Sequence, residues 1–539
     1  MHKKWNMPAI KQIFVNKIAR QNKKNLIFVS WYGYSNEFSK LTSPKEFMQK
    51  KNKIIVIGAG FSGISAATHL AAQGYDVTIL EKNSSAGGRA RCFSEQGFHF
   101  DMGPSWYWMP DVFDAYFEFF GKKTSDYYDL VRLNPSYTVA YAQNDFMQIP
   151  ADYAAVKQLF DSIEPGSAVR LDAFLAEAKY KYEVGMGEFV GKPSLSIFEF
   201  MKPKYLVDAF RLDLFSAMDK HVRKFFSHEK LIKLMEFPVL FLGALPKNTP
   251  ALYSLMNYAD IALGTWYPMG GMGKIIEGML DLAQEKGVKI IYNAEVTQIN
   301  AANKTVSNVV ASNKVYETNV VIASADYHHV EQQILQTEHR HYDEKYWETR
   351  VMAPSSLLFY LGVNKKLNNL THHTLFFDED LDQHAVEIYE QPQWPTKPLF
   401  YVSATSQTDP SVAPEGCENL FVLVPLAPNL TDTEEIREKY YNIVMDRLER
   451  LTNQSIKSNV VYKRSYAHTD FMSDYNAYKG NAYGLANVLK QTAILKPRLK
   501  SKKLDNLYFT GQLTVPGPGV PPSLISGKVV ANQIMKDGF

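Results

Sequence analysis

The chain has 539 residues and a formal net charge of +3, long enough for more than one domain and a large buried core. At 46% apolar and 21% charged it is globular rather than disordered, and its charge gives no ground for expecting nucleic acid as a partner. Two cysteines, Cys92 and Cys417, exclude a disulfide scaffold or a Cys-rich zinc site, so a reducing, cytoplasmic setting and no metal are expected.

Residues 1–47 are basic, nearly acid-free and without a core pattern. They read either as a targeting peptide or, preferably, as sequence upstream of a true start at Met48, and they are set apart from the fold. Next comes "KIIVIGAG", a short β-branched run bounded by glycine, as in a fully buried parallel strand. Gly58, Gly60 and Gly63 form G-x-G-x-x-G: Gly58 for the tight turn, Gly60 for backbone approach to a pyrophosphate, Gly63 for helix–strand contact. "SGISAATHLAAQG" is predicted helical, its N-terminus aimed at phosphate. "YDVTILEK" is the second strand, ending in Glu81, the acid expected on a ribose 2′-OH, which argues against NADP. Gly87, Gly88 and Arg89 follow, a second close backbone passage with a cation. This extended pattern resembles the FAD-binding motif of the flavin amine oxidase and carotenoid desaturase superfamily.

No apolar run of about 18 residues is present, so no spanning helix is predicted; the nearest, Met235–Pro246, is short and contains Pro238. The apolar and basic mixture over about 195–260 is expected to lie on a membrane surface. "TWYPMGGMGKIIEGMLDLAQEKGVKIIYNAEVTQI" reads as a Gly-rich turn, an amphipathic helix and one strand, and "ETNVVIASAD" as another buried strand. At the C-terminus, "NLYFTG" is a strand running into Gly511. "QLTVPGPGVPP", including Pro521, is a rigid loop. It leads into a helix whose N-terminus, near Ser523, suits a flavin's polar edge. The predicted architecture is α/β. A Rossmann-like FAD-binding domain is split over 48–130, 262–345 and 478–539. An α+β substrate domain with a helical membrane-facing region occupies 131–261 and 346–477.

Five ordered segments carry a closer likeness. They are the stretch after the FAD motif from Phe98 ("FHFDMGPSWYWMPDVF"), "WYPMGGMGKIIEGM", "TDPSVAPEGCENLFVLVP", "DFMSDYNAYKGNAYGLANVLKQTAILKPR" and the C-terminal "LYFTGQLTVPGPGVPPSLISGKVVA". From about Lys53 to the end the chain resembles the bacterial- and fungal-type phytoene desaturases. It departs from them at Gly511-Gln512-Leu513, where Gly-Ala-Gly is usual, and at Phe198-Glu199, where many relatives carry Arg–Asp. The resemblance implies FAD as cofactor, Val296 beside its adenine, and a long apolar isoprenoid as substrate. Phytoene would be converted stepwise towards lycopene by hydride loss to flavin and loss of a proton. It further implies oxygen or a quinone as electron acceptor and peripheral (monotopic) attachment to a membrane. Trp106, Tyr107, Trp108, Trp266 and Tyr267 are candidates for an aromatic wall facing developing positive charge. Glu199, ahead of Asp101 and Asp219, is the candidate proton acceptor. The alternatives are 3,4-desaturation, ketolation, isomerisation, retinol saturation or, with the flavin site lost, non-enzymatic prenyl binding.

Overall fold

The strand Lys53–Ile57 alternates its side chains between two packed layers. Ile54 and Val56 enter one core with Leu70 and Ile275, while Ile55 and Ile57 enter another with Val296 and Ile299. A strand buried on both faces has no polar position, which is why "KIIVI" lacks alternation. In this computed structural model, which describes residues 52–201, 211–240, 243 and 245–539, that strand is central to a five-stranded parallel sheet. The order is Leu507–Phe509, Val320–Ala323, Lys53–Ile57, Asp76–Leu80 and Lys289–Ile291. Helices Phe61–Ala72, Gly273–Glu285 and Val520–Lys536 lie on one side. The antiparallel sheet of Val296–Ala302, Thr305–Ala311 and Lys314–Glu317 lies on the other.

The segment expected as a single strand over "KIIYNAEVTQI" is two strands in two sheets. Lys289–Ile291 stays with the parallel sheet; the chain then turns through Asn293, in the left-handed region at φ 53°, and Val296–Ala302 starts the antiparallel sheet. Asparagine tolerates that conformation better than most residues. The C-terminal helix begins at Val520, so Pro521 and Pro522 occupy its first turn, where a missing N–H costs no intrahelical bond.

A second, seven-stranded sheet has the order Val460–Tyr466, Ser355–Val363, Glu418–Leu426, Phe400–Ser403, His373–Phe376, Tyr137–Ala142 and Asp145–Ile149. Its neighbours are antiparallel except for the parallel pair His373–Phe376 with Tyr137–Ala142. One face is covered by the Glu434–Thr452 helix, with Val444 and Leu448 packed on Phe359, Phe376 and Val422. The other face carries Leu358, Leu375, Tyr401 and Leu423.

That helix is tied to the sheet by Arg447, whose guanidinium lies 2.5 Å from Asp378 and donates to the carbonyl of Pro398. Both partners are buried. Asp378→Ala leaves a buried guanidinium without its counter-charge and is expected to cost about 3–5 kcal/mol of unfolding free energy. Urea titration measures this, and adding Arg447→Met should recover most of the loss.

Residues 1–47, and the 202–210 part of the stretch expected on a membrane, lie outside the described residues. Among the described residues no helix is long and apolar enough to cross a membrane.

Candidate active site

The first strand–helix turn leaves open space. Gly58 has φ +99°, and Gly63 approaches it so closely that a Cβ on Gly63 would lie 2.2 Å from the Gly58 carbonyl oxygen. At Gly60, between them, a Cβ would meet no protein atom within 4 Å. The second glycine turn faces this space: Gly87 has φ +112°, Gly88 has φ +56°, and a Cβ on Gly88 would meet only the Gly60 Cα, at 3.5 Å. The first N–H groups of the Phe61–Ala72 helix have no intrahelical partner, and together with the dipole they favour an anion here.

Glu81 is 4% exposed, at the end of its strand. It accepts hydrogen bonds from the Ala59 N–H at 2.7 Å, the Asn83 N–H at 2.9 Å and Asn83 Nδ2 at 3.0 Å. A carboxylate offers about four acceptor positions, so capacity for a further donor remains. Arg89 donates from Nη2 to the Asn481 carbonyl at 3.1 Å and lies 5.1 Å from the Tyr475 ring centre. Its buried Nε has no hydrogen-bond partner among the described residues. Burial lowers its pKa, against the raising effect of Asp326. A buried guanidinium with an unused donor fits an anionic group in the space beside Gly60 and Gly88.

The C-terminal pieces close this region. Gly511, at φ +108°, donates to Ser526 Oγ at 3.0 Å, and a Cβ on it would lie 3.1 Å from Ser62 Oγ. Pro521 sits in the first turn of the last helix, and the Ser523 N–H donates to Gly519. Val296 is buried at the start of its strand, close after Ala294, whose N–H bonds the Glu81 carbonyl at 2.8 Å. Lys496, 3% exposed, lies beside Gly517 with Asn487 Oδ1 as a neutral partner at 3.1 Å, and burial brings its pKa down to about 8.

The aromatic residues divide. Trp106 and Trp108 lie 5.2 Å apart, and Trp106 also meets Tyr137, Phe237 and Tyr401. Trp106 stacks on His373 at 4.1 Å and 12°, His373 meets His372 at 4.4 Å, and His372 meets Tyr267 at 4.5 Å. Two histidines absent from the sequence reading therefore join Tyr267 to the tryptophans. Their signal was the polar pair in "THHTLFF". Tyr107 packs separately on Phe113 and hydrogen-bonds Tyr128. Trp266 stands apart over Arg132, at 5.5 Å, with its Nε1 on the Leu263 carbonyl. Asp409, from "TDPSVAPEG", accepts hydrogen bonds from Ser411, Gly270 and Tyr267. These bonds outweigh the effect of its burial and hold its carboxyl below the usual range.

The candidate proton acceptors are engaged elsewhere. Glu199 accepts from the backbone N–H groups of Ser194, Leu195 and Ser196 at 2.7–3.0 Å, which locks the Ile197–Phe200 turn. Asp101 accepts from Met272 and Gly273 N–H, at the N-terminus of the Gly273–Glu285 helix, and burial raises its pKa. Asp219 accepts from the neighbouring Lys220 N–H in the first turn of the short Met218–Val222 helix.

Beside the aromatic cluster is a cavity that is partly open to solvent. Phe237, Leu375, Phe377, Ala385, Tyr401 and Leu423 are among its mostly apolar walls.

Comparison with known proteins agrees with this geometry. Residues 61–535 match the model of the flavin containing amine oxidoreductases. The chain is 40% identical over 485 residues to a carotenoid 3,4-desaturase of Haloarcula japonica, covering 90% of this chain and 98% of that protein. It is 31% identical to a zeta-carotene-forming phytoene desaturase of Myxococcus xanthus, covering 90% and 94%. A solved structure of a redesigned putrescine oxidase superposes with a TM-score of 0.59 at 13% identity, over 90% of this chain and 99% of that one. The chain belongs to the flavin-containing amine oxidoreductases and, within them, to the carotenoid desaturases. Its cofactor is FAD, and it is an oxidoreductase of CH–CH groups with an isoprenoid carotenoid as substrate.

Proposed function

We propose that the cradle of Gly58, Gly60, Gly63, Gly87 and Gly88 receives the FAD pyrophosphate, with Glu81 on the ribose and Arg89 on a phosphate. Val296 would lie along the adenine, with Gly511 and Pro521 on the flavin side. The partnerless Arg89 Nε supports this placement. Arg89→Met is expected to weaken FAD binding roughly 30-fold, or about 2 kcal/mol for one charge-assisted hydrogen bond. Titrating apoprotein with FAD by flavin fluorescence measures it. FAD supplies the hydride acceptor for carotenoid desaturation; the protein aligns the substrate and excludes water.

The apolar character of the cavity carries the substrate reading. It suits one segment of a long acyclic carotenoid, and with so few polar walls it has nothing to orient a small polar substrate. Desaturation at the 3,4-bond of an already conjugated carotenoid is favoured, because the 3,4-desaturase shares 40% identity against 31% for the phytoene desaturase. Phytoene is the second reading, supported by the Myxococcus relative. Holoenzyme on liposomes, given phytoene in one assay and lycopene in another, decides by HPLC. New product from lycopene alone gives the first reading, lycopene precursors from phytoene give the second, and unchanged pigment in both removes both. Oxygen or a membrane quinone takes the electrons, and running the assay anaerobically with added quinone separates them.

We propose also that the protein sits on the membrane that holds its substrate. Ile197, Phe198, Met201 and Phe215 are 51–78% exposed, a group of large apolar side chains that water does not favour. Lys192 lies 4.9 Å from the Phe189 ring and 4.7 Å from the Phe200 ring. Phe198→Glu with Phe215→Glu is expected to lower the fraction sedimenting with liposomes at least tenfold and leave FAD content unchanged.

A further inference from the structure

Removal of a hydride from one CH₂ and a proton from its neighbour needs a proton acceptor, and the three carboxylates expected for it, Glu199, Asp101 and Asp219, accept hydrogen bonds from backbone N–H groups. We infer that His373 is that acceptor, taking the substrate proton on Nε2; this rests on the carotenoid desaturase reading.

His373 begins the strand His373–Phe376, and alternate residues of a strand share a face. Leu375, on that face, and Phe377 both line the cavity, and so does Tyr401, which holds the ring of the fully buried His373 behind that wall. Tyr401 Oη lies 2.6 Å from His373 Nδ1, and the same hydroxyl donates to Ser105 Oγ at 3.1 Å. A phenol has one proton. With that proton on Ser105, Nδ1–H must donate to Tyr401, which leaves Nε2 as a bare lone pair. Nε2 is buried without a hydrogen-bond partner among the described residues, and so is Nε1 of Trp106, the ring stacked on His373. Ser105 is two residues after Gly103, where a Cβ would lie 2.5 Å from the Arg89 carbonyl oxygen. One short segment thus connects the Arg89 turn to Tyr401 and His373.

Burial, with His372 as a further lowering influence, keeps the imidazole neutral. The other titratable groups around it are Tyr401, the buried His372 with Asp409 behind it, and Tyr137 across Trp106, hydrogen-bonded to Asp260. In the step, the C–H pair of one substrate carbon leaves as hydride to the cofactor. The adjacent carbon gives its proton to Nε2, and the electrons of that C–H bond become the second bond of the alkene. The imidazolium lies against the Trp106 face, where a cation is stabilised. It releases its proton before the next turnover.

The test uses FAD-loaded full-length enzyme on liposomes with the carotenoid that the wild type converts; a wild type that converts none removes the desaturase reading and the inference with it. Positioned general bases contribute roughly 10²–10⁴-fold. His373→Gln is expected to lower single-turnover desaturation about 10²-fold or more at full flavin content. The loss of wild-type rate as pH falls should also disappear. A carotenoid deuterated at the carbon that loses the proton should show a larger isotope effect with the variant than with the wild type. A rate within tenfold of wild type, or a loss that keeps the acid limb and the wild-type isotope effect, overturns the assignment. If His373→Gln does not retain flavin, Tyr401→Phe decides. It keeps the His373 stack but frees Nδ1–H, so a loss of at least threefold with a raised isotope effect supports the role, and anything less overturns it.

Discussion

Gly60→Ala is expected to give a folded protein that no longer holds FAD, whereas Gly63→Ala is expected to lose both stability and flavin. The two glycines are three residues apart and look alike in the motif, yet their surroundings differ. A methyl at Gly60 meets no protein atom within 4 Å, and the backbone there, φ −82° and ψ 178°, is open to alanine. The apoprotein should therefore unfold within about 0.5 kcal/mol of wild type. The methyl instead occupies the space proposed for the pyrophosphate, so FAD affinity should fall a hundredfold or more, about 2.7 kcal/mol. At Gly63 the methyl would lie 2.2 Å from the Gly58 carbonyl oxygen and 3.1 Å from Ser324 Cβ. Helix and turn must separate, at a cost of about 1–3 kcal/mol or more, and the phosphate turn moves with them. Thermal unfolding of apoprotein alongside FAD titration separates the cases. A Gly60→Ala variant with wild-type affinity would place the cofactor elsewhere.

The first strand–turn–helix–strand unit was legible because its constraints are local. A both-faces-buried strand, a turn where Gly58 has positive φ and Gly63 leaves no room for a Cβ, and an acid at the next strand end all fall within about thirty residues. Distant partners were not legible. Arg89 finds its hydrogen-bond acceptor at Asn481, 392 residues away, and Asp101 serves a helix that starts 172 residues later. Glu199 is a local case: Ser196-Ile197-Phe198-Glu199 has the S-x-x-E pattern of a capping box, and its carboxylate is claimed by backbone N–H groups three to five residues before it. That competition with the backbone for side-chain oxygens decides whether an acid is free for chemistry. The aromatic wall shows the same limit: Trp266 and Tyr267 are adjacent in sequence, but strand alternation sends one to Arg132 and the other to His372.

Filling the cavity should abolish turnover of long carotenoids while leaving the flavin in place. Ala385 is 4% exposed on the Leu381–Tyr389 helix and lines the cavity with Leu375, Phe377 and Leu423. Ala385→Phe puts a ring where one methyl stood. In a close-packed core such a change costs about 1–3 kcal/mol; facing a cavity partly open to solvent the ring displaces little packed protein, so the cost should lie at or below the low end of that range. The substrate loses the space the ring takes. If the polyene must lie past Ala385 to bring its reacting carbons into register, kcat/KM should drop at least a hundredfold, since small misplacements of reacting atoms cost that much. A truncated isoprenoid that ends short of the ring should keep most of its rate, which distinguishes a blocked channel from general damage. Equal losses for long and short substrates, or no loss for either, would show that the carotenoid takes another path to the flavin.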